Sequence, residues 1–210
     1  MPTGPLRAIH AQETRERLTE AALVLFERHG FDGVTVEEIA AAATVSARTF
    51  YRYFGSKEGA LFDQQDELLA VLHATIVTER PDEPPIAAVR AAIVTLTQHT
   101  AHLVTTQRRQ AAIYLATPSL GAYERTVIRP RWEETLVGAI AERLSVDPAI
   151  DSRPGLLAGA AIAVMDAVMN AWMRTPVDAD LADLVETHFR LLGEVVAQQD
   201  HDSRPQGPDA

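Results

Sequence analysis

At 210 residues with 47% hydrophobic side chains, the chain can bury a substantial core as one or two domains, and the lack of cysteine excludes disulfides, thiolate metal sites and cysteine nucleophiles. The formal net charge of −10 is unevenly spread: through Glu58 there are 7 Lys+Arg against 8 Asp+Glu, and beyond it 12 against 21. The first residues lack a charged-then-apolar leader pattern, which makes the cytoplasm the expected compartment.

The first predicted helix covers 14–30, with Leu18, Ala22, Leu25 and Phe26 on one face. Next, Val36, Ile39, Ala40 and Ala43 form a single apolar helical stripe with Glu37 and Glu38 outside it, and Thr35 stands as N-cap with Glu38 at capping-box spacing. A break at Thr44 and Val45 leads to Ser46, the cap of a second short helix. In it Phe50 and Phe54 lie one turn apart and point inward, while Ala47, Arg48, Thr49, Tyr51, Arg52 and Tyr53 are offered outward.

Tyrosine rings gain little by staying in water, so two tyrosines and two arginines on the outer side of a two-turn helix imply a partner. A DNA groove would use them all. Arginine pairs bidentately with guanine, threonine touches a thymine methyl or a phosphate, and tyrosine hydroxyls donate to phosphate oxygens. The alternative is a helical hairpin whose aromatics pack on a neighbouring domain.

Ser56 then caps a helix whose first turn holds Lys57, the only lysine in the chain, at a helix start where an anion is favoured. That helix runs to about 80 with Leu61, Leu68, Leu69, Leu72 and Ile76, and Pro81–Pro85 breaks it. Further helices are predicted over 86–104, to Leu115, and over 119–144 with a kink at Arg129–Pro130, where proline removes a backbone donor. After Asp147–Pro148 an apolar helix covers 152–174, Thr175–Asp178 turns the chain, and a last helix carries Leu181, Leu184, Val185, Phe189, Leu192 and Val196. Residues 1–10 and 200–210 read as disordered tails. The fold class is therefore all-α, with nine helices divided into a head (11–58) and a body (59–199).

The 155–173 stretch approaches membrane-spanning length, but Asp166 and Asn170 interrupt it one turn apart. A subunit interface suits it better than a bilayer. Gly155, Gly159 and Ala163 form a small-residue stripe for close helix approach, the alternative being a central helix in a monomer.

The run Ile39-Ala40-x-x-Ala43-x-Val45-Ser46-x-x-Thr49-Phe50-Tyr51-x-Tyr53-Phe54-x-Ser56-Lys57-Glu58 resembles the DNA-binding signature of the tetracycline-repressor (TetR) family of bacterial regulators. Arg28-His29-Gly30-Phe31 is similar to the end of the family's first helix, where glycine supplies the C-cap. The resemblance implies phosphate contacts from Thr35, Ser46, Tyr51, Tyr53 and Lys57 and base-edge contacts from Ala47, Arg48 and Thr49, with Arg52 adding charge. Thr44 and Arg48 depart from the pattern, both standing where glycine is frequent. The first implies a turn with a strained or slightly different backbone and the second a specific base reader.

The resemblance further implies a homodimer through the last two helices, a palindromic double-stranded DNA operator and a small-molecule inducer. Met165, Asp166, Met169, Asn170 and Met173 share a sector of the penultimate helix, adaptable thioethers beside hydrogen-bonding groups, with His99, His102, Arg109, Tyr114 and Trp132 as further candidate pocket walls. A second reading makes the methionines core filler and sets the polar pair across the dimer.

A looser likeness, in Arg131-Trp132-Glu133-Glu134 and Ala139-Ile140-Ala141-Glu142-Arg143, is to a branch with an acyl-CoA-like ligand-binding domain that includes mycofactocin-system regulators. It points to an acyl-CoA or similar amphipathic ligand, with Arg109, Arg129 or Arg131 meeting its anionic group. His99 and His102 lack a third ligand for a metal, no cofactor is expected, and no catalytic constellation is present. The rival class is a helical enzyme or ligand carrier that keeps the hairpin as a structural unit.

Overall fold

The computed structural model describes residues 5–80, 82–176 and 179–202, and side-chain surroundings for 9–80, 82–176 and 179–197. Pro81, Val177 and Asp178, which belong to two of the expected turns, lie outside the described residues, as do 1–4 and 203–210 of the expected tails.

Among the described residues every regular element is helical. The α-helices are α1 (Pro5–His29), α2 (Val36–Ala42), α3 (Ala47–Phe54), α4 (Lys57–Leu61), α5 (Gln65–Thr78), α6 (Pro85–His99), α7 (Val104–Ala116), α8 (Pro118–Tyr123), α9 (Arg129–Leu144), α10 (Arg153–Trp172) and α11 (Leu181–Asp202). These make nine helical runs, two of them interrupted. The run after Ser56 breaks at Phe62–Gln64, where Gln64 takes φ +65°. The run across Pro130 is α8 and α9 joined by a π-helical turn, Glu124–Ile128, whose last bond runs from Arg129 N–H to Glu124 O. Pro130 has no N–H to give the regular ladder, and the widened turn accommodates that loss.

The helix α1 starts before the expected position 14. Pro5 suits a first helical turn, and the helix holds 5–10 that the sequence reads as tail.

The chain divides into two compact units, one comprising Met1–Asp66 with Leu103–Pro130 and the other Glu67–His102 with Arg131–Ala210. This differs from a division at residue 58. The first unit keeps α7 and α8 beside the head because their apolar side chains complete its core: Ile113 and Leu120 are buried with Leu18, Leu23, Phe26, Ile39 and Phe50. Arg109 on α7 adds a polar tie to α1, with Nε and Nη2 on the Glu27 carboxylate at 2.6 and 2.9 Å and Nη1 on Glu20 at 2.7 Å. The Arg109 hydrogen bond lowers the Glu27 pKa. The resulting stability is present above the ordinary glutamate pKa and is lost as pH falls through the lowered folded value.

In the second unit, Leu72, Ile76, Val89, Ala92, Leu136, Ile140, Ala158, Ala161 and Val185 form a continuous apolar core from α5, α6, α9, α10 and α11. Arg143 closes the end of α5. Its guanidinium donates to the carbonyls of Ile76 (3.1 Å), Glu79 (2.9 Å), Arg80 (2.5 Å) and Glu83 (3.0 Å), satisfying groups that the last turn of a helix leaves open.

By length and composition alone α10 could cross a membrane. It is two-sided, however. Ala158, Ala161, Ile162, Val168 and Trp172 are buried in the protomer, whereas Gly155, Leu156, Gly159, Ala163, Asp166, Met169 and Asn170 are exposed.

Candidate nucleic-acid interface

Local hydrogen bonding places the reading head. Thr35 and Glu38 close a reciprocal capping box at the start of α2, with Glu38 N–H donating to Thr35 Oγ1 at 3.2 Å and Thr35 N–H donating to Glu38 Oε2 at 2.8 Å. The Thr35 backbone bond holds the Glu38 carboxyl below the usual range. At the other end Thr44 N–H donates to Ala41 O (3.0 Å) and Val45 N–H to Ala40 O (2.9 Å), a Schellman closure. It requires a left-handed residue, and Thr44 takes φ +58° there. A β-branched side chain is poorly suited to that conformation. Thr44→Gly is expected to stabilise the head by about 1 kcal/mol, the relieved strain exceeding the added unfolded-state entropy; a higher melting temperature in thermal denaturation checks it.

The turn delivers α3. Ser46 Oγ accepts from Thr49 N–H at 3.1 Å and lies 2.9 Å from Thr49 Oγ1, so both hydroxyls are engaged at the helix start. Phe50 is fully buried and anchors the helix, its ring 5.2 Å from that of Phe54. Arg48, Tyr51 and Arg52 are exposed, with Tyr51 at 50%, while Ala47, Thr49 and Tyr53 are half-buried. The outward surface is thus narrower than expected. Tyr53 packs on the head core because its position, three residues after Phe50, lies toward the anchor side.

Gly55 (φ +71°) ends α3, and Ser56 caps α4 by accepting from Gly59 N–H at 3.1 Å. Lys57 does more than point at solvent. Its Nζ donates to Phe31 O (2.8 Å) and Val34 O (2.9 Å) and lies 4.3 Å from the Phe31 ring centroid. The lysine therefore pins the α1–α2 connection. Those two carbonyls take two of the three donors of the ammonium.

The expected pocket residues are divided between the two compact units. Arg109 and Tyr114 belong to the first compact unit, while His99, His102, Trp132, Met165, Asp166, Met169, Asn170 and Met173 belong to the second. Arg109 is held by two carboxylates, a tie that sequence spacing could not show. Tyr114 sets its ring edge-on to Phe62 at 6.0 Å. His99 is exposed and 3.1 Å from Glu67, His102 is exposed in a 3-10 turn, and Arg129 pairs with Glu124 at 3.1 Å.

On α10 the sector splits. Met165 packs on the body core and Met173 is half-buried, but Asp166, Met169 and Asn170 face outward, with Asn170 Nδ2 donating back to Asp166 O at 2.8 Å. Trp132 also packs on that core. Sequence reasoning passed over Gln107, whose Oε1 is buried without a hydrogen-bond partner two turns before Tyr114. A mid-helix glutamine carries no sequence signal of burial.

A family model described as bacterial regulatory proteins of the tetR family matches residues 18–63, and one described as the MftR C-terminal domain matches 83–197. The chain belongs to the TetR family. Within it, the chain is 28% identical over 180 residues to a Mycobacterium tuberculosis protein named as the mycofactocin biosynthesis transcriptional regulator MftR, covering 86% of this chain and 89% of that one. It is 31% identical over 177 residues to the transcriptional regulator TcmR of Streptomyces glaucescens, covering 81% and 78% respectively. Among solved structures it is similar to Thermus thermophilus FadR, a TetR family repressor in complex with lauroyl-CoA, at 28% identity and a TM-score of 0.50, covering 86% of this chain and 93% of that one. As a TetR member the chain is a DNA-binding transcriptional regulator, and α2–α3 is its helix-turn-helix.

Proposed function

We propose that this chain is a cytoplasmic homodimeric repressor, not an enzyme, that holds a palindromic operator with one α3 per half-site and releases it when a small molecule binds the body. The observation that carries the reading is the outward set of Arg48, Tyr51 and Arg52 above a fully buried Phe50. Arg48 reads a base edge. Thr35, Ser46, Tyr51, Tyr53 and Lys57 hold phosphates, Ala47 and Thr49 line the base edges, and Arg52 adds charge. Footprinting on the DNA flanking the coding region is expected to show a protected palindrome; no protected duplex at low salt would refute the function. Arg48→Ala is expected to lose about 1–3 kcal/mol of discrimination confined to one base pair, measured by competition with single-base operator variants.

The acidic body lowers non-specific affinity, so operator binding depends on two small cationic tips and weakens steeply with salt. The dimer face is the exposed side of α10 with the exposed apolar residues of α11, namely Leu156, Gly159, Ala163, Leu191 and Val195. This reading sets Asp166 and Asn170 at the two-fold seam rather than in a pocket, and it gives α10 protein cover in place of a membrane. A Cβ at Gly159 meets nothing within 4 Å inside the protomer. Gly159→Leu is therefore expected to leave protomer folding intact while shifting sedimentation to monomer, since the side chain starts from an exposed, open position and projects toward the partner.

The ligand is a long amphipathic molecule of the acyl-CoA class, a reading supported by the looser motif likeness and by the FadR complex. Met165, Met173 and Trp132 supply apolar walls and Arg131 meets an anionic group. Release requires the ligand to favour the non-binding conformation. A roughly hundredfold preference supplies about 2.7 kcal/mol, enough to empty many operators.

A further inference from the structure

We propose that Arg15 is a positioning residue for operator recognition, acting through Tyr53. The inference rests on the DNA-binding reading of α3 and assigns a role to a side chain on α1. Arg15 forms an ion pair with Asp63, with the arginine side chain 31% and the aspartate 12% exposed. The Arg15 guanidinium carbon also lies 5.9 Å from the Tyr53 ring centroid and 5.6 Å from that of Phe54. Arg52 approaches the same tyrosine at 5.3 Å. Tyr53 thus has two guanidinium neighbours, one on its own helix and one fixed from α1.

The arginine is itself immobilised. Asp63 Oδ1 accepts from Gln64 N–H at 2.8 Å, and Gln64 holds the left-handed conformation that breaks α4 from α5. Phe62, next in the chain, is stacked on Tyr123 at 5.6 Å and set edge-on to Tyr114 at 6.0 Å. The carboxylate holding Arg15 is therefore fastened to the α4–α5 break, which in turn is fastened to α7 and α8. Because Asp63 neutralises it, Arg15 adds little charge for phosphate. Its guanidinium lies within cation–π range of the ring whose hydroxyl is to reach the DNA backbone, and a lysine ammonium lacks its planar, delocalised charge.

The test compares operator affinity for wild type, Arg15→Met, Arg15→Lys, Tyr53→Phe and the Arg15→Lys/Tyr53→Phe double variant, with folding verified by circular dichroism at the assay temperature. Arg15→Met is expected to weaken operator binding on the order of tenfold, about one mispositioned polar contact, with the slope of log affinity against log salt unchanged. Arg15→Lys keeps the ion pair and should lose affinity in a wild-type background but not once the Tyr53 hydroxyl is gone, a non-additive cycle. Additive losses, or full affinity in Arg15→Lys, would overturn the assignment. So would a salt slope shallower by about one unit, the mark of a direct phosphate contact. If Arg15→Met does not fold, the lysine cycle decides. Wild-type protein that protects no duplex refutes the DNA-binding reading and this one with it, whereas a normal wild-type footprint with an additive cycle removes only the role of Arg15.

Discussion

Replacing Gly59 with alanine is expected to cost the head at least about 3 kcal/mol, at or above the upper end of overpacking penalties. A Cβ built at Gly59 would lie 2.1 Å from Phe54 O, with the Phe54 carbonyl carbon at 3.0 Å. These are backbone atoms at the end of the reading helix, so no rotamer change relieves the clash. Either the last turn of α3 moves or the first turn of α4 opens, and opening breaks the bond from Gly59 N–H to Ser56 Oγ. Thermal denaturation should show a large loss of melting temperature, and operator affinity should fall at temperatures where the protein remains helical, because α3 carries Arg48, Tyr51 and Arg52. A melting temperature within about 2 °C of wild type would show that the α3–α4 corner yields easily.

Lys57→Met should lower stability by about 2–4 kcal/mol while also weakening every DNA sequence alike. Methionine keeps most of the apolar stem but donates nothing to Phe31 O and Val34 O, two carbonyls whose present donor is charged. The contact of the ammonium with the Phe31 ring is lost as well. Equilibrium urea unfolding measures the first effect and binding to operator and random duplexes the second. If the residue served DNA alone, affinity would fall at unchanged stability. If it served the fold alone, affinity measured on fully folded protein would match wild type. The lysine is expected to do both, because the connection it pins leads into Thr35, itself a proposed phosphate contact.

The head was legible residue by residue wherever the information is local. Thr35 with Glu38, Ser46 with Thr49 and Ser56 with Gly59 act across three residues, and the structure shows each as a capping bond. The inward position of Phe50 and the outward positions of Arg48, Tyr51 and Arg52 follow from helical periodicity alone. Thr44 is a similar case: its departure from glycine left a strained or a slightly different backbone as the two outcomes, and its positive φ is the strained one.

The long-range partners were not legible. Lys57 reaches back 26 and 23 residues to its carbonyls, and Arg109 spans 82 and 89 to its carboxylates. Periodicity identifies which side of a helix is apolar but not which neighbour covers it. Thus α7 and α8, which the sequence assigns to the body, pack with the head through Ile113 and Leu120, and the polar sector of α10 turns outward at Asp166 and Asn170. Sequence by itself determined the all-helical class, the caps and the outward face of α3, because each depends on side chains within one or two turns. Tertiary structure alone decided the partners of Lys57, Arg15 and Arg109. Those depend on where distant helices come to rest, which is set by the packing of the whole core.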